Sequence, residues 1–285
     1  MTKSHLASYT YTMSKLAAIQ MCSTANVDEN LATAAKLIAQ AAQHGAQLVV
    51  LPEMFAIMGK TDQDKLKVKE PFGHGKIQDF LVAQAKEHNV WIIGGTIPIT
   101  CDDPNKVRAA CLVYDNDGEF VARYDKAHMF DVVLSPTEAY KESDTTEAGD
   151  KLVIVPTPFG KIGLAVCYDI RFSDMFLEFF KQGAEIIAIP TAFTEKTGKA
   201  HWRALVHGRA IENFSYIIGS CQYGTHANNR NTYGHSLAVE PWGVTLDEIT
   251  ADQEGVVYCD VDLEYLHAKR RAVPVSNSFK ELKLS

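Results

Sequence analysis

The sequence lacks a long apolar run. No apolar run in its 285 residues reaches the roughly 18 residues that a membrane-spanning helix needs. The first twelve residues, MTKSHLASYTYT, also lack the apolar segment of a signal peptide and the arginines of a transit peptide. We therefore predict a cytoplasmic protein without a membrane partner, and we interpret residues 1–12 as a disordered extension.

Positive charge is also scarce. The sequence has 28 Lys and Arg residues against 35 Asp and Glu residues, which gives a net charge of −7. A nucleic-acid-binding protein needs a basic surface to meet phosphates, so we predict no nucleic-acid partner. The charge balance still permits an anionic small molecule, because a single arginine can outweigh a diffusely acidic surface.

Several motifs that would indicate a metal, a nucleotide or a serine nucleophile are missing. None of the six cysteines forms a Cys-x-x-Cys pair, and none of the ten histidines has a convincing metal-ligand spacing. There is no G-x-G-x-x-G, no Walker loop and no G-x-S-x-G. We predict no metal site. Most cysteines lie in or beside apolar runs, which favours reduced thiols over a disulfide framework.

Strand-like and helix-like segments alternate along almost the whole chain. Strands are predicted at residues 15–22, 47–51, 90–98, 161–166, 185–189, 215–221 and 256–261, and helices at 26–44, 76–88, 172–181 and 199–213. Turn residues also predict two hairpins, 107–114 with 119–124 and 235–240 with 244–246. No linker rich in Pro, Gly or Ser interrupts this pattern, so we predict one α/β domain over residues 13–285.

One segment of the chain is similar to another. Residues 43–55 read QHGAQLVVLPEMF, and residues 181–193 read KQGAEIIAIPTAF. The similarity predicts a helix-to-strand unit used twice about a pseudo-two-fold axis. Glu53 and Thr191 would then occupy equivalent places just beyond two buried strands, at the edge where open α/β sheets bind ligands.

Cys167 is the strongest candidate for a catalytic residue. It ends the apolar segment GLAV and precedes a helix, and a strand-to-helix turn presents a side chain beside free backbone N–H groups. The alternative is a buried core cysteine. A nucleophilic thiol needs a nearby base or cation, which Glu53, Lys126 or His128 would supply. Taken alone, Glu53 could also be a solvated loop carboxylate, and Lys126 a surface lysine.

Three motifs together resemble the nitrilase superfamily of carbon–nitrogen hydrolases. They are LPEMF with Glu53, YDKAHMFD with Lys126 and GLAVCYDIRF with Cys167, and the resemblance covers about residues 15–279. It implies a four-layer αββα sandwich, a Glu–Lys–Cys triad and a second glutamate, here Glu142. It also implies that no metal or organic cofactor is needed and that the chains associate as homodimers or larger homo-oligomers.

The resemblance implies a role for each of these residues. Glu53 would act as general base, and Cys167 would attack a carboxamide carbon and form a thioester. Lys126 and the backbone N–H of Tyr168 would stabilise the oxyanion, while Glu142 would hold Lys126.

Within the superfamily, the chain resembles the deaminated-glutathione amidase branch. The segments that carry this resemblance are YDKAHMFDV, the ESDT stretch and Gln222–Gly224 with His226 before YGHS. The implied substrate is a small-molecule 2-oxo-acid amide. The near alternative is an ω-amidase that acts on 2-oxoglutaramate; a nitrilase, a non-catalytic interaction protein and a Cys–His transferase are weaker alternatives.

The same resemblance implies how the substrate is bound. Arg171 matches a residue that binds the 2-oxo-acid carboxylate, and Phe193 and Thr197 match positions that line the pocket. The alternative for Arg171 is an ion pair with Asp169 or a helix carboxylate, and Phe193 could be plain core. The segment 129–140 lies where substrate-facing loops vary, and the sequence gives it no assignment.

Overall fold

Two β-sheets lie back to back, with helices on the outer face of each. The structure is a computed structural model that describes residues 13–136 and 138–278. The predicted disordered extension, residues 1–12, lies outside the described residues, as does the end of the predicted domain after residue 278.

The described residues form strands and helices that follow one another closely. The strands are β1 (Ser14–Gln20), β2 (Leu48–Val50), β3 (Trp91–Ile93), β4 (Ile97–Thr100), β5 (Val107–Tyr114), β6 (Phe120–Asp125), β7 (Asp131–Ser135), β8 (Glu138–Lys141), β9 (Ile154–Thr157), β10 (Gly160–Leu164), β11 (Ile186–Thr191), β12 (Tyr216–Cys221), β13 (Tyr223–Thr225), β14 (Asn231–Tyr233), β15 (Leu237–Val239), β16 (Thr245–Glu248) and β17 (Gly255–Val261). The helices are α1 (Val27–Gln43), α2 (Asp64–Lys67), α3 (Lys76–His88), α4 (Ser173–Lys181), α5 (Glu195–Asn213) and α6 (Leu263–Ala272).

The two sheets repeat one arrangement of strands. The first has the order β17-β1-β2-β3-β5-β4, with β6 paired to β5, and the second has the order β9-β10-β11-β12-β15-β16. In each sheet three parallel strands lie in the middle and antiparallel strands flank them. The similar segments supply the central strand of each sheet, β2 and β11, as the internal similarity predicts.

Apolar side chains fill the spaces between the layers. One core cluster joins the inner faces of the two sheets and continues under α4 and α5, and a second lies between the first sheet and α1 and α3. The periodic residues of α1 (Leu31, Ala34, Leu37, Ile38 and Ala41) are buried there, and the Asn26 side chain caps that helix. The fold is the four-layer αββα sandwich that the resemblance to the nitrilase superfamily implies.

Most of the predicted elements are confirmed, including both hairpins, but one strand is wrong. Residues 90–98 form two strands, because Gly95 adopts a φ of +58° between them. A Cβ atom on Gly95 would lie 2.1 Å from the carbonyl oxygen of Pro52, so only glycine fits beside the segment that carries Glu53. The unassigned segment 129–140 contains most of a hairpin, β7 with β8.

One predicted helix begins earlier than its apolar pattern suggests. Helix α5 starts at Glu195, and the Thr194 side chain caps it by accepting a hydrogen bond from the Thr197 backbone N–H. Within residues 13–136 and 138–278, no helix is both long enough and apolar enough to cross a membrane.

Candidate active site

Cys167 lies at a strained turn between β10 and the α4 helix. It begins a 3₁₀ helix (Cys167–Arg171), is buried, and adopts a φ of +47°, which is unusual for any residue other than glycine. Strain of this kind persists only where the surroundings enforce it, and it is typical of functional sites. Tyr168 is the second residue of the same helix, where a backbone N–H has no partner within the helix. The turn therefore places a thiol beside a free donor.

A buried carboxylate, Asp169, holds this turn in place. Its Oδ2 accepts hydrogen bonds from the Tyr124 hydroxyl at 2.7 Å and from the Val166 N–H at 2.8 Å. Its Oδ1 accepts the His128 N–H at 3.1 Å and lies 2.7 Å from His128 Nδ1. The imidazole of His128 also stacks on Phe172, with ring centroids 3.6 Å apart. His128 thus pairs with Asp169, which does not favour its alternative role as the base for Cys167.

The carboxylates of Glu53 and Glu142 meet at the ammonium group of Lys126. Lys126 Nζ donates to Glu53 Oε1 at 2.7 Å and to the two Glu142 oxygens at 3.0 and 2.8 Å. Lys126 is 2% exposed and Glu53 is 4% exposed, so water screens these contacts little. Glu142 also accepts the Phe130 N–H at 2.8 Å, which fixes it against Lys126. The structure therefore brings the four predicted residues together at one cavity, where the charges of Glu53 and Lys126 act on the Cys167 thiol.

Residues from both sheets fix the position of Glu53. It follows β2, and its backbone carbonyl accepts a hydrogen bond of 3.1 Å from Gln222 Nε2, which comes directly after β12. Gln222 is held in turn by Ser23, through a bond of 2.9 Å from the Ser23 N–H and one of 2.7 Å to the Ser23 hydroxyl. The Glu53 backbone is therefore tied to the second sheet, which also carries Cys167.

Burial and charge set the protonation states in this cluster. Burial raises the pKa of the Cys167 thiol to about 12, and the carboxylate of Glu53 adds to the rise while Lys126 opposes it. Burial alone would lower the pKa of Lys126, but the carboxylates of Glu142 and Glu53 hold it well above its usual value. Burial acts to raise the pKa of Glu142, yet Lys126 and the Phe130 N–H keep it below its usual value. At neutral pH the resting site therefore holds a protonated thiol, an ammonium group and a carboxylate at Glu142.

These groups open onto a cavity. Its walls include the predicted Tyr168, Phe193 and Thr197 and the rings of Phe130 and Tyr140. Sequence reasoning missed Lys65, Tyr140 and Arg230, which also line it. No local motif marks them, since they come from α2, the β7–β8 hairpin and the loop before β14. In the described part of the chain, no cluster of three or more His, Cys, Asp or Glu side chains is arranged to hold a metal ion.

Arg171 is placed differently from the other predicted binding residues. It does not line the cavity, and its guanidinium lies over the rings of Phe193 and Tyr168 at 5.3 and 5.8 Å. Arg171 Nη2 donates to His201 Nδ1 at 3.3 Å. Among the described residues it forms no ion pair, so the alternative of a salt bridge to Asp169 or to a helix carboxylate is wrong. The Arg171 guanidinium therefore lies outside the cavity, behind the rings of Phe193 and Tyr168, and forms no ion pair in the described residues.

Comparison with known proteins supports the same fold and chemistry. The chain is 36% identical over 268 residues to a deaminated glutathione amidase of Dictyostelium discoideum, covering 92% of each chain. It is 37% identical to the human deaminated glutathione amidase, covering 91% of this chain and 80% of that one. The crystal structure of the C. elegans NitFhit protein superposes with a TM-score of 0.86 at 30% identity. This alignment covers 94% of the present chain, which spans 65% of the length of the NitFhit chain.

The fold and these similarities define an amide-hydrolysing enzyme of the nitrilase superfamily. The carbon-nitrogen hydrolase family model matches residues 15–271. This chain belongs to the carbon-nitrogen hydrolase family.

Proposed function

We propose that this enzyme cleaves a 2-oxo-acid amide through a Cys167 thioester and that its substrate is deaminated glutathione. The observation that carries the proposal is the buried cluster in which Lys126 contacts Glu53 and Glu142 at the cavity that Cys167 also lines. Base, nucleophile and cation therefore meet at the wall of one cavity, where the charges of Glu53 and Lys126 act on the thiol.

Acylation begins from the thiol. Because the pKa of Cys167 is raised to about 12, the thiol is protonated at neutral pH, and Glu53 takes its proton as sulfur attacks the amide carbon. Negative charge develops on the carbonyl oxygen, where the Lys126 ammonium and the Tyr168 N–H stabilise it. Protonated Glu53 then gives its proton to the amine nitrogen, the C–N bond breaks, and a thioester remains.

Deacylation uses the same groups with water as the nucleophile. Glu53 removes a proton from water as its oxygen attacks the thioester carbon, and the oxyanion again faces Lys126 and Tyr168. The C–S bond breaks, and the proton on Glu53 returns to the Cys167 sulfur. Glu142 keeps Lys126 charged and positioned through both steps, because it remains in contact with the ammonium group.

The choice of substrate rests on charge and on the relatives. Arg230 lines the cavity and forms no ion pair with any carboxylate in the described residues, and Arg171 behind its walls forms none either, whereas Lys65 lies in the field of Glu142 and Asp62. An arginine without an ion pair at the cavity wall favours an anionic substrate. Deaminated glutathione carries two carboxylates, and two curated relatives at 36% and 37% identity bear the name of its amidase. For the 2-oxo-acid end we propose Arg171, as the resemblance implies, together with Phe193 and Thr197.

A direct comparison of substrates tests this function. The purified enzyme is given deaminated glutathione and, separately, 2-oxoglutaramate at equal concentration, and 2-oxoglutarate release is followed with glutamate dehydrogenase and excess ammonium. We expect kcat/KM on deaminated glutathione to exceed that on 2-oxoglutaramate by at least about tenfold, which corresponds to one extra carboxylate contact. The Cys167→Ala variant gives the background rate. A larger value on 2-oxoglutaramate would make the enzyme an ω-amidase, and turnover of neither would reject the 2-oxo-acid amide class.

We also propose that residues 13–285 form one catalytic domain that works as a cytoplasmic homodimer or larger homo-oligomer. The single domain is supported by site residues that come from both sheets, and the cytoplasmic location by six cysteines that are all free. The oligomer is supported by an exposed apolar patch that includes Ile211, Trp242 and Val244. Patches of this kind mark protein contacts. Sedimentation velocity should therefore show an oligomer that Trp242→Asp weakens, whereas a monomer at all concentrations would reject this part of the proposal.

A further inference from the structure

The cavity contains an arginine, Arg230, that forms no ion pair with any carboxylate in the described residues. Arg230 Nη2 donates to the Ala192 carbonyl oxygen at 2.6 Å, and the guanidinium lies 5.0 Å from the ring centroid of Tyr140. Its Nε is buried and has no hydrogen-bond partner. A buried donor without an acceptor destabilises the protein, and a charged one more so.

Ala192 connects this arginine to the nucleophile. Ala192 and Cys167 both line the cavity, and the Ala192 N–H acts on the Cys167 thiol, while the Ala192 carbonyl oxygen accepts from Arg230. One hydrogen bond and one residue of backbone therefore connect the guanidinium to a group beside the sulfur, a path on the order of 10 Å. A group held by Arg230 is within reach of an atom that reacts at Cys167.

Arg230 also stands where the cavity meets an outer groove. Arg230 and Tyr140 line both the cavity and a polar groove between the β7–β8 hairpin and the start of α5. The carboxylates of that groove already have partners within the protein, since Glu138 accepts the Tyr140 hydroxyl at 3.2 Å and Glu195 accepts from Lys199. The groove is thus a polar passage that leads out of the cavity, and Arg230, which forms no ion pair in the described residues, lies where the two meet.

We propose that Arg230 binds the carboxylate of the leaving amine and so determines the preference for a substituted amide over a primary amide. The inference rests on the proposed function and deepens it. While the C–N bond breaks and Glu53 protonates the amine nitrogen, the guanidinium holds the far end of the departing dipeptide through charge-assisted hydrogen bonds. Ammonia has no such group and gains nothing from Arg230.

The dimensions agree with this assignment. In an extended dipeptide amine, the terminal carboxylate lies about 7 Å from the amine nitrogen. Adding the approach of about 3 Å between sulfur and amide carbon gives a span of the same order as the path from Cys167 to Arg230. The carboxylate of the acyl half lies on the other side of the scissile bond, so one arginine does not serve both ends.

The test compares three substrates on the wild type and on Arg230→Gln. They are deaminated glutathione, its C-terminal carboxamide, in which only the carboxylate charge is removed, and 2-oxoglutaramate. For the wild type we expect kcat/KM to fall by about 10- to 100-fold from the carboxylate to the carboxamide substrate. For Arg230→Gln we expect this ratio to shrink to within about threefold, because the variant no longer distinguishes the two. Arg230→Lys should recover part of the ratio, since it restores charge without the planar fork.

Two comparison variants separate this role from others. Arg271→Gln, an exposed arginine of α6, should leave all three kcat/KM values as in the wild type. Arg171→Gln should lower all three by a similar factor, because the acyl half is common to the substrates. If Arg230→Gln also lowers all three equally, the inference is wrong and Arg230 is structural. If the wild type hydrolyses 2-oxoglutaramate but has equal kcat/KM values on deaminated glutathione and its carboxamide, the inference about Arg230 is wrong, while the hydrolysis of 2-oxo-acid amides still stands. A lack of turnover of every substrate overturns the proposed function and the inference with it.

Discussion

Replacing Cys167 by serine should lower kcat/KM for amide hydrolysis by about 10⁴-fold or more, the scale found when a covalent nucleophile is removed. A hydroxyl is a much weaker nucleophile than a thiol, and burial that already raises the pKa of the Cys167 thiol to about 12 disfavours an alkoxide further. The side chain would still stand at the same turn, since Asp169 fixes that turn through groups that the substitution does not touch. The loss should therefore be chemical and not structural.

The measurement combines steady-state rates with mass spectrometry of the acid-quenched enzyme. The wild type should show the mass of one acyl group on the peptide that contains Cys167, and the Cys167→Ser variant should show none. Cys101→Ser is the matched control, because that partly exposed cysteine lies at the end of β4, away from the cavity. Both variants should unfold within about 3 °C of the wild type. Retained turnover in Cys167→Ser would remove Cys167 from the role of nucleophile.

The central part of this site could be predicted from the sequence because local signals mark it. Glu53, Lys126 and Cys167 each follow a predicted strand, two of them in the first sheet and one in the second, and the polar residues after such strands are where α/β folds place their sites. Each also lies within a short, uninterrupted sequence motif. The alternation of strands and helices predicted one α/β domain because it is a short-range pattern, whereas the four-layer αββα arrangement came from the resemblance to the nitrilase superfamily.

The further residues that line the cavity could not be predicted in this way. Lys65, Tyr140 and Arg230 reach the cavity from three separate segments, and none of these segments has a periodic or motif-like pattern. The role proposed for Arg230 rests on its lack of an ion pair in the described residues, and the partners of a loop residue are set by tertiary packing. The role of His128 was equally hidden, because its partner Asp169 is 41 residues away in the chain.

The position of Arg171 illustrates a different limit. The resemblance assigns it to the substrate carboxylate, yet the structure places its guanidinium across the rings of Phe193 and Tyr168 and outside the cavity lining. A motif gives the residue and its chain position, but the rotamer of a long side chain depends on its neighbours. The role of Arg171 in binding therefore stays a prediction, for which the substrate comparison above supplies the readout.

Replacing Glu53 by glutamine should lower kcat/KM by about 10²- to 10⁴-fold, the range that a general base contributes. The side chains have the same shape, and Glu142 remains in contact with Lys126 through both of its oxygens, so the ammonium group keeps a partner. What the variant lacks is the acceptor for the thiol proton. Both the attack by sulfur and the attack by water need that acceptor, so acylation and deacylation should slow together.

The pH dependence of the residual rate gives the sharpest readout. In the wild type, Glu53 removes the thiol proton, so kcat/KM should stay level between about pH 7 and about pH 9. In Glu53→Gln only the small thiolate fraction reacts. Burial is the largest cause of the raised thiol pKa and persists in the variant. Below that pKa the thiolate fraction rises about tenfold per pH unit, and the residual rate should rise with it.

Glu264→Gln, an exposed glutamate on α6, is the matched control and should keep the level profile of the wild type. A level profile in Glu53→Gln would show that another group removes the thiol proton. If a stable thioester instead formed on Glu53→Gln at the wild-type rate, Glu53 would act only on water, and the acylation base would have to be sought elsewhere in the cavity. The raised pKa of Cys167 makes both outcomes measurable, because a thiol that is protonated across the accessible pH range cannot react at the wild-type rate without a base.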